Sequence, residues 1–388
     1  MSPTPASSAN KPSATAVATI HDVAELAGVS VSTVSNVLNG RESRMREGTL
    51  LRVRQAISEL GFRPNPSARQ LKTGHMPMLG LLVPSIANPF FGTLARWVEA
   101  AALERGFGVV LCNTQRDPVR ELAYAQALQA QGVRGVIIGS ALQAQQHLEP
   151  MIASGMAVLG FDRTSESNSQ PMDFVSMDNR RAGAVAAEHL ISLGHRSLVY
   201  VTPALRSQNR EARLAGVRAA CEQAGVAFEA HVGLPQSAYE EGEMAEVGRA
   251  AVLERCRAGQ TVSGWVGMND MVALGMLAGL HESGLRVPTD VSLVGIDDLY
   301  LSRCLFPTLS TVRQPLREMA EAAVERVLTR MSELRARSHQ LVFMPALVQR
   351  ESSAPPPAVT AAAAVAATAV AAAPAPTRGA AAAKRQRR

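Results

Sequence analysis

The chain has 388 residues, 47% of them apolar and 19% charged. That balance excludes a wholly disordered chain, and the length allows roughly two to three domains. The formal net charge of +6 points to an acidic partner without naming one.

Cys112, Cys221, Cys256 and Cys304 are scattered, so neither a metal knuckle, a redox CxxC pair nor a secreted disulfide framework is written here. Residues 1–17 are Ser, Pro, Ala and Thr with one Lys and no apolar core of signal-peptide length. They read as a disordered leader. The most apolar stretch, Ala358–Ala373, falls short of the roughly 20 residues a spanning helix needs. The expectation is a soluble, cytoplasmic protein with no membrane partner.

The charge is unevenly placed. Residues 18–75 carry a net +3, residues 352–388 a net +5, and residues 76–351 a net −3. Basic ends around a mildly acidic body favour a polyanion for the ends and another task for the middle.

Thr19 can cap a first helix, with Asp22 in its first turn and Gly28 ending it. Ser30 can cap a second, from Val31 to about Leu38. Val23, Leu26, Val29, Val34, Val37 and Leu38 form an apolar side. A third helix runs from about Thr49 to Leu60 on the spacing of Leu50, Val53, Ile57 and Leu60. This is either a helix-turn-helix or an ordinary three-helix packing unit. In the first case the second helix enters the major groove, with Val31, Ser32 and Asn36 toward base edges and Thr33 and Ser35 within reach of phosphates. Residues 63–74, with Pro66 and Gly74, are either a linker or a short helix that needs DNA or a partner to fold.

Beyond residue 76, apolar β-rich runs alternate with amphipathic helical stretches. The runs are Leu79–Pro84, Gly108–Asn113, Arg134–Gly139, Ala157–Phe161, Ser197–Thr202, Gly264–Met268 and Val291–Ile296. The pattern predicts parallel α/β sheets covered by helices, in two lobes. Ligands bind beyond the carboxyl ends of such strands. That rule selects Asn88–Phe91, Asp162–Arg163, Asn269–Asp270 and Asp297–Asp298. Amides, carboxylates and an aromatic wall suit a polyhydroxyl ligand. Each residue alone could equally be a helix cap.

The runs TIHDVAELAGVSVSTVSNVLNG, ELGFRPNPSARQLKTG and MLGLLVPSIANPFF resemble the lactose/galactose/purine repressor family (LacI-type), and the similarity continues through residue 351. The resemblance implies a helix-turn-helix domain over 18–62, a hinge helix over 63–75 that folds on operator DNA, and a core over 76–351 shaped like a periplasmic sugar-binding protein. It places Asn65, Ala68 and Leu71 at the minor groove, with Leu71 as an unstacking wedge. Thr19, Ile20, Asn39 and Arg69 complete the DNA-facing set. The implied pocket is Phe90, Phe91, Asp162, Asn209, Arg213, Asn269, Asp297 and Gln314. The implied partners are a palindromic double-stranded operator, a carbohydrate or sugar-acid effector and a second copy of the chain. The dimer surface falls on the helix near Phe91 and the strand Gly108–Asn113.

Three positions depart from the family pattern. Asn36 stands where Arg is usual, which predicts a different half-site, since Asn suits adenine where Arg suits guanine. Arg46 and Gly48 replace the usual Ser cap, so the third helix should fray at its start. Ser237 stands where many members carry an aromatic pocket wall.

Residues 352–388 read as a disordered tail with a basic tip, KRQRR, either inert or a sequence-blind DNA contact. No heptad repeat for tetramerisation is present. An enzyme is the first alternative, but the chain lacks GxSxG, HExxH and GxxxxGK[ST] signatures. His189 and His195 lack a third ligand and read as packing residues. No cofactor or metal is expected. A periplasmic binding protein would need an export signal and would not carry residues 19–74. A chromosome-organising protein would bind DNA without sequence preference.

Overall fold

A computed structural model describes residues 18–38, 41, 45–62, 76–139, 146–163, 172–204, 207–233, 241–260, 262–334 and 336–357. No helix among them is long and apolar enough to cross a membrane. The chain divides into two compact units after Met76.

The first unit holds α1 (Ile20–Ala27), α2 (Val31–Leu38) and α3 (Glu47–Glu59). Thr19 and Asp22 form a reciprocal capping box at the start of α1. Gly28 ends it at φ +63, a conformation that only glycine adopts without a Cβ penalty. Ser30 Oγ accepts from the Thr33 N–H at 3.2 Å, opening α2. Arg46 provides no side-chain cap for α3, but Glu47 stands in its first turn, where the dipole favours an anion. Val23, Ala24, Ala27, Val34, Val37, Val53, Ala56 and Phe62 form the core. Leu26 is a correction: it is 51% exposed, because Ala24 and Ala27 take the packing positions on that turn. The hinge positions Asn65, Ala68, Arg69 and Leu71, and also Asn39, lie outside the described residues.

The second unit is two six-stranded sheets. The first contains β1 (Met78–Val83), β2 (Gly108–Asn113), β3 (Gly135–Ile138), β4 (Ala157–Phe161), β5 (Asp173–Met177) and β11 (Gln340–Phe343), in the order β11-β5-β4-β3-β1-β2. Every pairing in it is parallel. The second contains β6 (Ser197–Thr202), β7 (Ala227–Val232), β8 (Gly264–Gly267), β9 (Ser292–Asp297), β10 (Ser310–Arg313) and β12 (Ala346–Val348), in the order β12-β10-β9-β8-β6-β7. Only β12 runs antiparallel to its neighbour. Strands buried on both faces read as continuous apolar runs, as β4 does.

The helices of this unit are α4 (Pro89–Glu104), α5 (Pro118–Ala130), α6 (Glu149–Ala153), α7 (Asn179–Ser192), α8 (Gln208–Ala224), α9 (Glu241–Arg257), α10 (Asp270–Glu282) and α11 (Leu316–Ser332). The chain passes between the lobes after β5, after β10 and after β11, so each lobe is built from separate stretches of sequence. Gly183 on α7 and Gly216 on α8 allow a close crossing. A Cβ on either would stand 1.9 Å from a carbonyl oxygen of the other helix, that of Arg213 or Arg180.

The expected tail from residue 352 needs correction at its start. Ser352 and Ser353 are buried. Ser353 Oγ lies 2.8 Å from His189 Nε2, and the Ala354 carbonyl lies 3.1 Å from His195 Nε2. Both imidazoles therefore serve the packing of this last segment, and burial holds both below the usual histidine range. These polar pairings draw residues 352–354 onto the second sheet. Residues 358–388 lie outside the described residues.

Candidate functional site

In the first unit, α2 presents two faces. Val34 and Val37 are buried, while Ser32 and Asn36 are exposed on the opposite side and Val31, Thr33 and Ser35 are half-buried. Ser30 Oγ holds the Ser32 and Thr33 hydroxyls at 2.8 and 2.9 Å, which orders the first turn of α2. Thr19 is exposed at the start of α1, and Ile20 packs partly against the core. Small polar side chains on the first turns of the second helix have the placement that a major-groove reader needs.

In the second unit, the eight residues Phe90, Phe91, Asp162, Asn209, Arg213, Asn269, Asp297 and Gln314 line one cleft, with Pro84, Asn88, Arg116, Arg210, Met244 and Met268. The empty space within it is about 460 Å³, part of it open to solvent.

The parallel topology explains the convergence. Strand C-termini and helix N-termini point the same way, so α4, α7, α8 and α10 all start at the cleft. Asn88 caps α4 by accepting from the Phe90 N–H at 2.9 Å, and Pro89 fixes the first turn. Phe90 and Phe91 then pack edge-to-face at 5.1 Å as the aromatic wall. Asn269 is indeed a helix cap: its Oδ1 accepts from the Val272 N–H at 3.0 Å. Its Nδ2 faces Met244 Sδ at 3.6 Å, so one amide serves both the helix and the cleft lining.

The carboxylates sit at strand ends in left-handed backbone, Asp162 at φ +53 and Asp297 at φ +129. Such strain gathers where side chains must be aimed. The Asp162 carboxylate accepts from Asn179 Nδ2 at 3.0 Å and from Asn209 Nδ2 at 2.6 Å. Arg213 donates from Nε to Asn179 Oδ1 at 2.8 Å and from Nη1 to the Met268 carbonyl at 3.0 Å. Its Nη2 lies 3.5 Å from Asp297 Oδ1, which also accepts from Gln314 Nε2 at 2.7 Å. Burial pushes the Asp297 carboxyl up to about 7, against the opposing pull of the Arg213 guanidinium. The oxygen of the Gln314 amide, Oε1, is buried with no partner and completes the acceptor set.

The second members of two expected pairs do other work. Asp270 is buried behind the cleft, accepting from the Leu299 N–H and from the Ser302 and Thr311 hydroxyls. Asp298 is tied to Arg313 and Arg350. Sequence reasoning missed Arg116, Arg210 and Asn179. Arg116 follows β2, so the strand-end rule could have found it, and Arg210 adjoins Asn209. Asn179 follows β5, a strand with no continuous apolar run to reveal it. Ser237 lies outside the described residues.

Comparison with known proteins follows the same division. Bacterial regulatory proteins of the lacI family match residues 19–65, and the periplasmic binding protein-like domain matches residues 187–353. The HTH-type transcriptional regulator DegA of Bacillus subtilis (strain 168) is 32% identical over 339 residues, spanning 87% of this chain and 98% of its own length. The chain belongs to the lacI family of bacterial regulatory proteins.

Solved members of the lacI family share its fold. The lac repressor dimer bound to operator and the anti-inducer ONPF superposes with a TM-score of 0.75 at 28% identity, covering 87% of this chain and 99% of its own. A lacI-family regulator from Enterococcus faecium with bound ribose superposes with a TM-score of 0.62 at 26% identity, covering 72% of this chain and 99% of its own. Among the described residues, no cluster of His, Cys, Asp and Glu could hold a metal ion.

Proposed function

We propose that this lacI-family chain is a repressor that reads a palindromic operator as a homodimer and changes its operator affinity when a small polyhydroxylated ligand joins the two lobes. The observation that carries this reading is the pairing, in one chain, of a helix-turn-helix unit with a cleft whose two walls come from different lobes. Asp162, Phe90 and Phe91 belong to one wall, and Asn209, Arg213, Asn269 and Asp297 to the other. A ligand that bridges them favours one lobe arrangement over another by its differential contacts, the requirement for allosteric control. The operator in the lac repressor complex and the ribose in the Enterococcus faecium relative support the two ligand classes.

On the DNA side, Val31, Ser32 and Asn36 read base edges, Asn36 favouring adenine. Thr19, Ile20, Thr33, Ser35 and Asn39 hold the backbone. Asn65, Ala68 and Leu71 lie at the minor groove at the centre of the palindrome, where Leu71 unstacks the step, and Arg69 completes the DNA-facing set. Dimer symmetry matches operator symmetry. The exposed edge strand β2, with Leu111 44% exposed, supports the dimer surface.

Leu71→Ala tests the DNA half. Operator affinity should fall roughly 10- to 100-fold while ligand affinity stays unchanged. Fluorescence anisotropy on operator DNA and calorimetry with ligand read the two separately. An unchanged operator affinity removes the hinge assignment.

A further inference from the structure

The cleft and the entry point of the chain lie at opposite ends of the first lobe. Its strands are parallel and the cleft lies beyond their C-terminal ends, so Met78, Gly135, Ala157 and Asp173 begin β1, β3, β4 and β5 along the far edge. The chain from the helix-turn-helix unit enters at that edge, since β1 follows Met76 directly. One helix runs from one end to the other. α11 has 17 residues, about 25 Å of helix. It begins just after Gln314, which lines the cleft and donates from Nε2 to Asp297 of the second lobe at 2.7 Å. It then lies along β3, β4 and β5 and against α4, where the Arg317 guanidinium stands 5.4 Å from the centre of the Trp97 ring.

The far end of α11 is pinned by charge. Arg330 and Asp173 have side chains only 1% exposed. Arg330 Nη2 donates to Asp173 Oδ1 at 2.7 Å and to the Arg337 carbonyl at 3.0 Å. Arg326 donates to Asp173 Oδ2 from Nη2 at 2.9 Å and from Nε at 3.2 Å, and the His339 N–H donates to Oδ1 at 2.8 Å. Burial opposes the charge on Asp173, yet Arg330, the His339 N–H and Arg326 together hold its carboxyl below the usual carboxylate range. Apolar side chains of similar volume would fill this space with no desolvation cost. They would also let the helix slide, whereas directed bonds fix its register on β5.

We propose that the Asp173–Arg330 brace makes α11 and the first sheet one rigid lever, which carries a change at Gln314 to the edge where the chain enters from the helix-turn-helix unit. This rests on the reading of the chain as a ligand-controlled repressor. Asp173 and Arg330 are positioning residues, since neither lines the cleft. With its end pinned, a pull at Gln314 turns the lobe as a body. With its end free, α11 slides along the sheet, the shear that packed helices permit, and the pull is absorbed.

The test is a double-mutant cycle on the full-length protein, read as affinity for the duplex that the wild type selects from a random-sequence library. Gln314 and Arg330 are separated by about 24 Å of helix, a distance at which independent substitutions add. Gln314→Ala alone should change duplex affinity about fivefold or more. In an Arg330→Met background the same substitution should change it by less than about twofold. Methionine roughly keeps the side-chain volume, and Asp173 stays paired with Arg326. Arg326→Gln, at a position 20% exposed, cuts the milder arm of the brace and should shrink the Gln314 effect in the same direction. A merely structural brace would lower stability in urea and leave that effect intact. An effect of Gln314→Ala that persists in both backgrounds, or no effect in the wild type, overturns this inference and leaves the repressor reading standing. Failure of the wild type to select any sequence overturns both.

Discussion

Gly183→Ala should lower the unfolding free energy by about 3 kcal/mol or more, although alanine is the better helix former. On propensity alone, glycine to alanine inside a helix stabilises by roughly 0.5–1 kcal/mol, so the sign itself is diagnostic. The added Cβ would stand 1.9 Å from the carbonyl oxygen of Arg213 and 2.8 Å from its carbonyl carbon. A side chain could rotate away, but backbone cannot, so α7 and α8 must separate. Gly216 lies on the same crossing, with its own Cβ position 1.9 Å from the Arg180 carbonyl, so relief is blocked from both sides. Separation also shifts Arg213, whose guanidinium joins Asn179, Met268 and Asp297 across the cleft floor. The variant should therefore lose ligand affinity together with stability. Urea unfolding followed by circular dichroism measures the first effect. Unchanged or raised stability would mean that the two helices do not cross at this separation.

Asp297→Asn should do the opposite to stability and the same to function. The carboxyl sits at about 7 in the fold against an ordinary value of 3.8, chiefly because burial penalises its charge. Between these two values the folded protein keeps a proton that the unfolded chain has released. Stability therefore falls as pH rises through that window and stays at the lower level above it. Asparagine cannot ionise, yet its amide oxygen can still accept from Gln314. At pH 8 the variant should be more stable by about 1–3 kcal/mol, less than the full shift because Arg213 loses its counter-ion. The gap should narrow toward pH 5. Ligand-dependent change in operator affinity should be lost. Such a trade of stability for function is common at binding sites. A variant less stable than wild type at pH 8 would mean that the Arg213 pairing outweighs the burial cost.

The helix-turn-helix unit was legible because its signals are local. Thr19, Asp22, Gly28 and Ser30 each act within four residues of their partners. The strands of the two lobes were legible where apolar runs were continuous, as in β1 and β4. β5 was not, because its buried polar residues are satisfied from far away. Asp173 pairs with Arg330 at 2.7 Å and Arg326 at 2.9 Å, partners more than 150 positions along the chain. Residues 352–354 show the same limit, polar in sequence yet held by His189, His195 and Ser292. In the cleft, strand-end position predicted Asp162, Asn269 and Asp297 one at a time. It could not separate Asp297, which faces the ligand space, from Asp298, which is consumed by Arg313 and Arg350. The difference lies in which side of β9 each carboxylate leaves, a feature of the folded strand end and not of composition.

The most direct test of the whole account is a genome-wide map of sites bound by the purified full-length protein at physiological salt, with and without a sugar that calorimetry shows to bind. The account predicts a small set of sharp sites sharing a palindrome with a flexible central step, and occupancy that shifts when the sugar is added. Diffuse occupancy without a shared motif, indifferent to the sugar, would contradict it and would assign the basic ends of the chain to sequence-blind DNA binding.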